Sequence, residues 1–291
     1  MRFCLPFDTS PSKDCHVHYH LHDLVAIIRL RIKDNSMNIL VLKLILAPVI
    51  IGSASLAGRK WGPAVSGWIV GMPLTSGPVI FFVALSHDVA FAANAALGVI
   101  SGGLSLVAYA LTYAWLAMRF HWYVAWIGSF VVFAISTTLL QNVSFPLIPI
   151  FVVVCVAIAF GLYWMPKDEV QEEEAPFGKW DIPSRILIGT SFILLITGSA
   201  SFIGPRLTGL LTTIPLYVTI LAIFAHRHQG PAAAAHVLRG LLYGMFAFAG
   251  FFITLGLLLE KAGIAVTFLS AVVVALAIQG TSLLILRQKQ A

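Results

Sequence analysis

Long runs of apolar residues, separated by short polar or charged stretches, follow one another from residue 39 to residue 286. A helix needs about 20 apolar residues to cross the hydrocarbon core of a membrane. The runs lack the alternation of a half-buried strand, and an open sheet edge cannot lie in lipid. The pattern therefore predicts nine transmembrane helices, at about residues 39–57, 62–85, 89–118, 122–140, 145–165, 184–203, 205–225, 231–259 and 262–286.

The third and eighth of these runs are unusually long. Each has about 30 residues, which is more than one straight span needs and too few for two spans. A long apolar run is accommodated by tilting or kinking. We therefore expect either tilt or a break, with Gly102-Gly103 and Gly250 as the positions for a break.

The chain also resembles itself at a constant separation, since Gly62-Pro63 recurs as Gly204-Pro205. We call the separation between positions 62 and 204 the repeat offset. Other pairs share it: Gly67 with Gly209, Pro73-Leu74 with Pro215-Leu216, Phe82 with Phe224, Ala92 with Ala234, Gly98 with Gly240 and Gly102 with Gly244. The spacing predicts a duplication, with copies at about 39–140 and 184–282. The copies start five spans apart, and an odd number of spans places the second copy upside down.

The predicted fold class is an all-α polytopic membrane helix bundle. It has about nine transmembrane helices, in two inverted four-helix repeats joined by a central fifth helix at 145–165. Residues 166–183 form an acidic cytoplasmic loop. Residues 37–291 make up one transmembrane domain, and residues 1–36, which are more polar, are interpreted as a disordered leader or an extension from an upstream start.

Composition and charge agree with this interpretation. The chain is 59% hydrophobic and only 10% charged, with a mean hydropathy of +0.93. Soluble domains have about 25% charged residues, so this class is excluded. The net charge of +6 comes from basic residues in loops, and nothing points to nucleic acid. Their distribution predicts that the Met37 end lies outside and that the C-terminus is cytoplasmic. The membrane that we expect for this multi-pass protein is a bacterial inner membrane.

The second and seventh spans contain prolines that interrupt helical hydrogen bonding. Pro73, Pro78 and Pro215 each lack a backbone donor and clash with the preceding turn, so we expect kinks there. Two interpretations apply to the residues beside these kinks, which are Thr75, Ser76, Gly77, Thr212 and Thr213. Their hydroxyls satisfy the freed backbone groups internally, or together with exposed amides and carbonyls they bind a solute in a cavity.

A few polar side chains accompany these kinks. His87 and Asp88 precede the third span, and Asn94 and His236 are a further pair at the repeat offset. His87, Asp88 and His236 are candidates for proton coupling, and Asn94 and His236 for solute contact. Arg239, about eight residues into its span, either snorkels to the headgroups or binds an anion in the pathway.

No sequence motif indicates an enzyme. The chain has no phosphate-binding loop, no His-Glu-x-x-His and no nucleophile elbow. We therefore predict no catalytic residue, no metal and no cofactor. The repeated Gly52-Ser-Ala-Ser55 and Gly198-Ser-Ala-Ser201 are interpreted as sites of close helix packing.

The motif formed by Gly58, Trp61-Gly62-Pro63, Gly67, Pro73 and Ser76-Gly77-Pro78 resembles one in uncharacterised bacterial multispanning membrane proteins. That resemblance implies no activity. The inverted, kinked repeats are similar in architecture to those of secondary transporters. The predicted function is transport of a small solute by alternating access around the second and seventh helices. The alternatives are a non-catalytic subunit of a larger complex, with a homodimer or a partner protein at the cytoplasmic loop, and a membrane enzyme acting on lipid.

Overall fold

The structure is a computed structural model that describes residues 68–143, 145–166 and 181–288, together with residues 41, 44, 45, 48 and 49. The chain divides into two compact units, Met1–Leu42 and Lys43–Ala291. Of the first unit only Val41 is described. The predicted leader at 1–36, most of the first span, the start of the second and most of the loop at 166–183 lie outside the described residues.

The described part of the second unit is helical and contains no strand. Residues 68–70 are helical and precede a break. The helices that follow are α1 (Ser76–Ser86), α2 (Val89–Ala117), α3 (Trp122–Gln141), α4 (Leu147–Trp164), α5 (Asp181–Ile203), α6 (Pro205–Leu211), α7 (Leu216–Gln229) and α8 (Pro231–Gln288). Helix α8 is interrupted at Gly263, whose φ of 75° is not helical, so it consists of segments 231–262 and 264–288.

Glycine followed by proline marks two of the helix boundaries. Gly204 and Gly230 have φ values of 78° and 90°, a left-handed conformation that glycine adopts without steric cost. Pro205 and Pro231 then occupy the first positions of α6 and α8. Proline suits that position because its φ is already helical and the missing N–H has no partner there. These local signals therefore fix the ends of the helices.

Helix α2 lies at the centre of the bundle and packs against α1, α3, α4, α6 and α8. Most of its residues are buried, and many are small. Helices α3 and α4 each bury a single stripe of residues four apart, such as Ala125, Ser129 and Phe133 of α3. Their other faces carry large exposed apolar side chains, including Ile127 and Val156. A helix that is apolar all round and exposed on most faces suits a lipid environment.

Six helical stretches of the described residues are long and apolar enough to cross a membrane, and the chain is a multi-pass membrane protein. They are Val89–Ala117, Trp122–Gln141, Leu147–Trp164, Ile186–Ile203, Pro205–Gln229 and Pro231–Thr281. The last has 51 residues and includes the interruption at Gly263, close to the predicted boundary between the eighth and ninth spans. The number nine stays a prediction, because residues 50–67 are not described.

The breaks expected at Gly102-Gly103 and Gly250 are absent, since α2 and α8 continue through these positions. The glycines instead allow close contact between helices. A Cβ atom on Gly102 would lie 2.5 Å from Thr213 Oγ1, and one on Gly250 would overlap with the Ile278 side chain. Gly198, which was expected to pack closely, is exposed. A Cβ atom added to it would have no contact within 4 Å among the described residues.

Among the glycines of the described residues, Gly209 leaves the least room for a Cβ atom, at the contact of α6 with α2. A Cβ there would overlap with the carbonyl oxygen of Ala95, so Gly209→Ala must push the two helices apart. We expect a loss of about 3 kcal/mol or more in the free energy of unfolding, as for an overpacked core. The measurement is the midpoint of thermal unfolding in detergent. Gly280→Ala on the exposed face of α8 is the control and should leave the midpoint unchanged or raise it. Equal effects of the two variants would contradict the contact.

Candidate functional site

Two proline-containing segments interrupt helices in the described part of the chain. Residues 71–75 separate the helical residues 68–70 from α1, and residues 212–215 separate α6 from α7. Pro73 and Pro215 lie within these segments. A proline removes one backbone donor and blocks the turn before it, so each segment leaves the helical path. The expected kinks at these two prolines are therefore present as full breaks.

The two breaks have the same backbone hydrogen bonds at positions related by the repeat offset. In the first break the donor and acceptor pairs are Met72 to Ile69 (3.0 Å), Leu74 to Met72 (2.7 Å) and Gly77 to Pro73 (2.9 Å). In the second they are Ile214 to Leu211 (3.2 Å), Leu216 to Ile214 (2.8 Å) and Thr219 to Pro215 (3.0 Å). Every donor and every acceptor of the first set has its counterpart in the second, so these three backbone hydrogen bonds are repeated.

Two close contacts that involve glycine are also related by the repeat offset. Gly102 of α2 faces Thr213 of the second break, and Gly244 of α8 faces Gly71 of the first break. Gly244 is the counterpart of Gly102, and Thr213 is the counterpart of Gly71. The first break therefore packs against a glycine of α8, and the second break packs against a glycine of α2. In each case the glycine belongs to the other half of the chain. Only small residues allow such close approach of helices in a membrane.

A small cavity of about 40 Å³ lies between the two breaks. Its lining includes residues 70–72 with their counterparts 212–214, residues 75 and 76 with 217 and 218, and Leu106 with Phe248. A water molecule needs at least about 10–15 Å³ of such volume, so the cavity has room for roughly three waters or a solute of that size. Four predicted site residues, Thr75, Ser76, Thr212 and Thr213, line it together.

The hydroxyl groups of the second break are partly used within the break. Thr212 Oγ1 donates to the carbonyl oxygen of Gly209 at 2.7 Å, and Thr213 Oγ1 donates to that of Leu210 at 2.6 Å. A hydroxyl has one proton to donate and two lone pairs that accept. In this arrangement both oxygens can only accept from a further partner. The cavity chemistry thus favours a solute with N–H or O–H donors, or a small cation.

Gln279 is a site residue that the sequence prediction missed. It lies in the second segment of α8, is 2% exposed, and its Nε2 donates to the carbonyl oxygen of Trp68 at 3.0 Å. The break removes the usual helical donor to that oxygen. Leu210, the counterpart of Trp68, receives the Thr213 hydroxyl instead. The sequence signal that could have identified Gln279 is a polar amide inside a long apolar run. Such a side chain raises the free energy of the folded protein in a membrane unless it has a partner.

Gly77, Asn94 and His236 lie outside the cavity lining. Gly77, with Pro78, faces a second pocket of about 330 Å³ whose lining is apolar and includes Phe251 and Phe268. Asn94 is exposed, and its amide donates to the carbonyl oxygen of Ala90 at 2.9 Å. The second pocket and the cavity share Met72 in their linings.

Arg239 contacts the end of another helix. Its guanidinium Nη2 donates to the carbonyl oxygen of Pro166 at 2.5 Å and, at 3.4 Å, to that of Met165, directly after α4. The C-terminal end of a helix carries partial negative charge and unpaired carbonyls, which a cation stabilises. This contact explains an arginine within the span without requiring an anion in the pathway.

The two candidates before α2 serve the helix boundary. Asp88 is the N-cap of α2, and its carboxylate accepts from the backbone N–H of Phe91 at 2.6 Å. The imidazole of His87 stacks on the ring of Phe91, with 4.5 Å between ring centroids. In the part of the chain that the structure describes, no group of three or more His, Cys, Asp or Glu side chains could hold a metal ion.

Arg239→Ala leaves the carbonyls after α4 without their charged donor. Since a hydrogen bond from a charged group contributes about 1.5–3 kcal/mol, we expect the free energy of unfolding in detergent to fall by that amount. Arg227→Ala is the matched control, because it also removes an arginine, but one that is exposed. The guanidinium of Arg227 lies 5.5 Å from the centroid of the Trp122 ring. A stability unchanged by Arg239→Ala would show that the contact contributes nothing.

Comparisons of the chain with known proteins give no family assignment. No family model, curated protein or solved structure matches it. The resemblance of the motif around Trp61-Gly62-Pro63 to uncharacterised bacterial membrane proteins stays a prediction. The physical basis for a function therefore lies in the two breaks and the cavity between them.

Proposed function

We propose that the chain is a secondary transporter of a small solute and that the solute binds between the two helix breaks. The observation that carries this proposal is the cavity itself, whose walls come from corresponding positions of both breaks. Broken helices at corresponding positions of two repeats mark the binding site in many transporters. The cavity residues Thr75, Ser76, Thr212 and Thr213 would bind the solute.

The proposal includes an inverted duplication of about 39–140 and 184–282. It is supported by the backbone hydrogen bonds that recur at the repeat offset and by the reciprocal contacts of Gly102 and Gly244. A helix boundary gives further support. Gly263, which interrupts α8, corresponds at the repeat offset to His121, the N-cap of α3. The recurrence of hydrogen bonds and of a helix boundary at the same offset adds to the support from the sequence alone.

Alternating access in this arrangement moves one repeat against the other around the cavity. The breaks are the contact points between the repeats, and the close contacts at Gly71 and Gly102 give them a tight fit. The proposal places the chain in a bacterial inner membrane, and the distribution of its basic residues supports an orientation with the Met37 end outside. Because the threonine oxygens of the second break accept hydrogen bonds, the solute is a hydrogen-bond donor or a small cation.

Cysteine accessibility tests the proposal without knowledge of the solute. Ser76→Cys and Thr213→Cys are made in a background in which Cys4, Cys15 and Cys155 are replaced by serine. A membrane-impermeant thiol reagent is then applied to right-side-out and to inverted vesicles. Since a cavity with alternating access opens to each side in turn, we expect both variants to react in both vesicle types.

Val79→Cys serves as the control, because Val79 is fully buried one turn beyond Ser76 and does not line the cavity. It should react more slowly than Ser76→Cys from either side. If Ser76→Cys and Thr213→Cys react from one side only, or from neither, alternating access is wrong. That result would favour a non-transporting membrane subunit.

A further inference from the structure

Beside the second break, five polar side chains follow one another through the bundle. They come from α2, α3 and α7 and are Tyr109, Tyr113, Ser129, Thr219 and His226. We call this set the polar column. Tyr109, Tyr113 and Ser129 have no exposed surface. We propose that the polar column carries protons between the central cavity and the end of the bundle at His226, an inference that rests on the proposed transport function and names its coupling ion.

The inner part of the polar column is hydrogen-bonded to the cavity wall. The Thr219 hydroxyl donates to the carbonyl oxygen of Pro215, a residue that lines the cavity. The hydroxyl oxygens of Tyr109 and Thr219 are 2.7 Å apart. Since the Thr219 proton is directed at Pro215, Tyr109 is the donor in this second bond. The buried Ser129 hydroxyl of α3 donates to the carbonyl oxygens of Ala125 and Trp126, at 2.7 and 2.9 Å. Thr219 therefore links Tyr109 to the backbone of a residue that lines the cavity. A carbonyl oxygen accepts a hydrogen bond but does not relay a proton, so transfer to or from the cavity requires the Thr219 hydroxyl to rotate from Pro215 to a water molecule.

The outer part continues one helical turn further along α2. The ring of Tyr113 lies 6.2 Å from that of Tyr109 and 6.2 Å from the imidazole of His226, between centroids. The Tyr113 hydroxyl and His226 Nδ1 are both buried, and neither has a hydrogen-bond partner among the described residues. A buried polar group without a partner is costly. Water bound beside the Tyr113 hydroxyl and His226 Nδ1 would supply both groups with partners.

The other half of the chain differs from the polar column at the corresponding positions. The counterparts of the polar column at the repeat offset are Phe251 for Tyr109, Leu255 for Tyr113, Ala271 for Ser129, Gly77 for Thr219 and Ala84 for His226. All five are apolar and buried. The corresponding positions of the other half thus carry no polar side chain, and Gly77 and Phe251 there border the apolar pocket of about 330 Å³. The polar groups of the column therefore distinguish this half of the chain from the other.

Proton transfer fits the chemistry of the polar column better than passage of a metal cation. Each hydroxyl can accept a proton on its oxygen while it releases its own, and an imidazole accepts on one nitrogen while it releases from the other. No bond other than O–H or N–H is made or broken, and no oxidant or reductant is needed. No carboxylate belongs to the polar column to hold a cation. The titratable groups near His226 are Tyr113 of α2, His121 before α3, and Arg227 and His228 of α7.

Proton flux into liposomes tests this proposal with the full chain and no added solute. Purified protein is reconstituted with pyranine, a pH-sensitive dye, inside the vesicles. Potassium efflux through valinomycin makes the interior negative and drives protons inward. We expect faster acidification than in protein-free liposomes. Tyr109→Phe and Tyr113→Phe should slow the protein-dependent rate about tenfold, equivalent to roughly 1.4 kcal/mol in the barrier.

Tyr123→Phe is the matched control, because Tyr123 is an exposed tyrosine of α3 outside the polar column. It should leave the rate unchanged. Folding of each variant is checked by thermal unfolding in detergent, and Tyr109→Phe should fold because Phe251 occupies the corresponding position. Wild-type flux equal to that of empty liposomes, or equal flux in wild type and Tyr113→Phe, would overturn the proton path. Either result would leave the cysteine test of alternating access standing, so the two proposals can fail separately.

Discussion

The structure depends on one constraint, which is that a backbone carbonyl or amide inside a membrane needs a partner from the protein. The chain breaks two of its helices within apolar stretches, at Pro73 and Pro215, and so frees backbone groups inside the helix bundle. A different side-chain donor replaces the lost helical hydrogen bond at each break. Gln279 donates to the oxygen of Trp68 in the first break, and Thr213 donates to that of Leu210 in the second. The breaks are therefore stable features of the fold.

The position of the breaks gives the described part of the molecule a small polar interior. Small residues let each break approach a central helix, as at the contact of Gly102 with Thr213. Larger residues would separate the helices and enlarge the cavity, at a cost in packing. The cavity of about 40 Å³ is thus the outcome of glycine placement as much as of proline placement. Its size and hydroxyl lining limit what can bind between the breaks.

Similar backbones on the two sides of the cavity carry different chemistry. Beyond the first break lies an apolar pocket lined by Gly77, Phe251 and Phe268. Beyond the second break lies the polar column, in which Thr219 and Tyr109 replace the glycine and the phenylalanine. One side is suited to contact with hydrocarbon and the other to water or protons.

The sequence by itself determined the helices and the two breaks. Apolar runs of about 20 residues and prolines act locally, and both are visible without knowing what packs against them. It also placed Thr75, Ser76, Thr212 and Thr213 at the breaks. Only the tertiary structure decided that Gly102-Gly103 and Gly250 are contacts and not breaks, that Arg239 binds the end of α4, and that Gln279 satisfies Trp68. Arg239 and its partner Pro166 are 73 residues apart in the sequence, and Gln279 and its partner Trp68 are 211 residues apart. A side chain's partner at such a distance is set by the packing of helices, which no local pattern records.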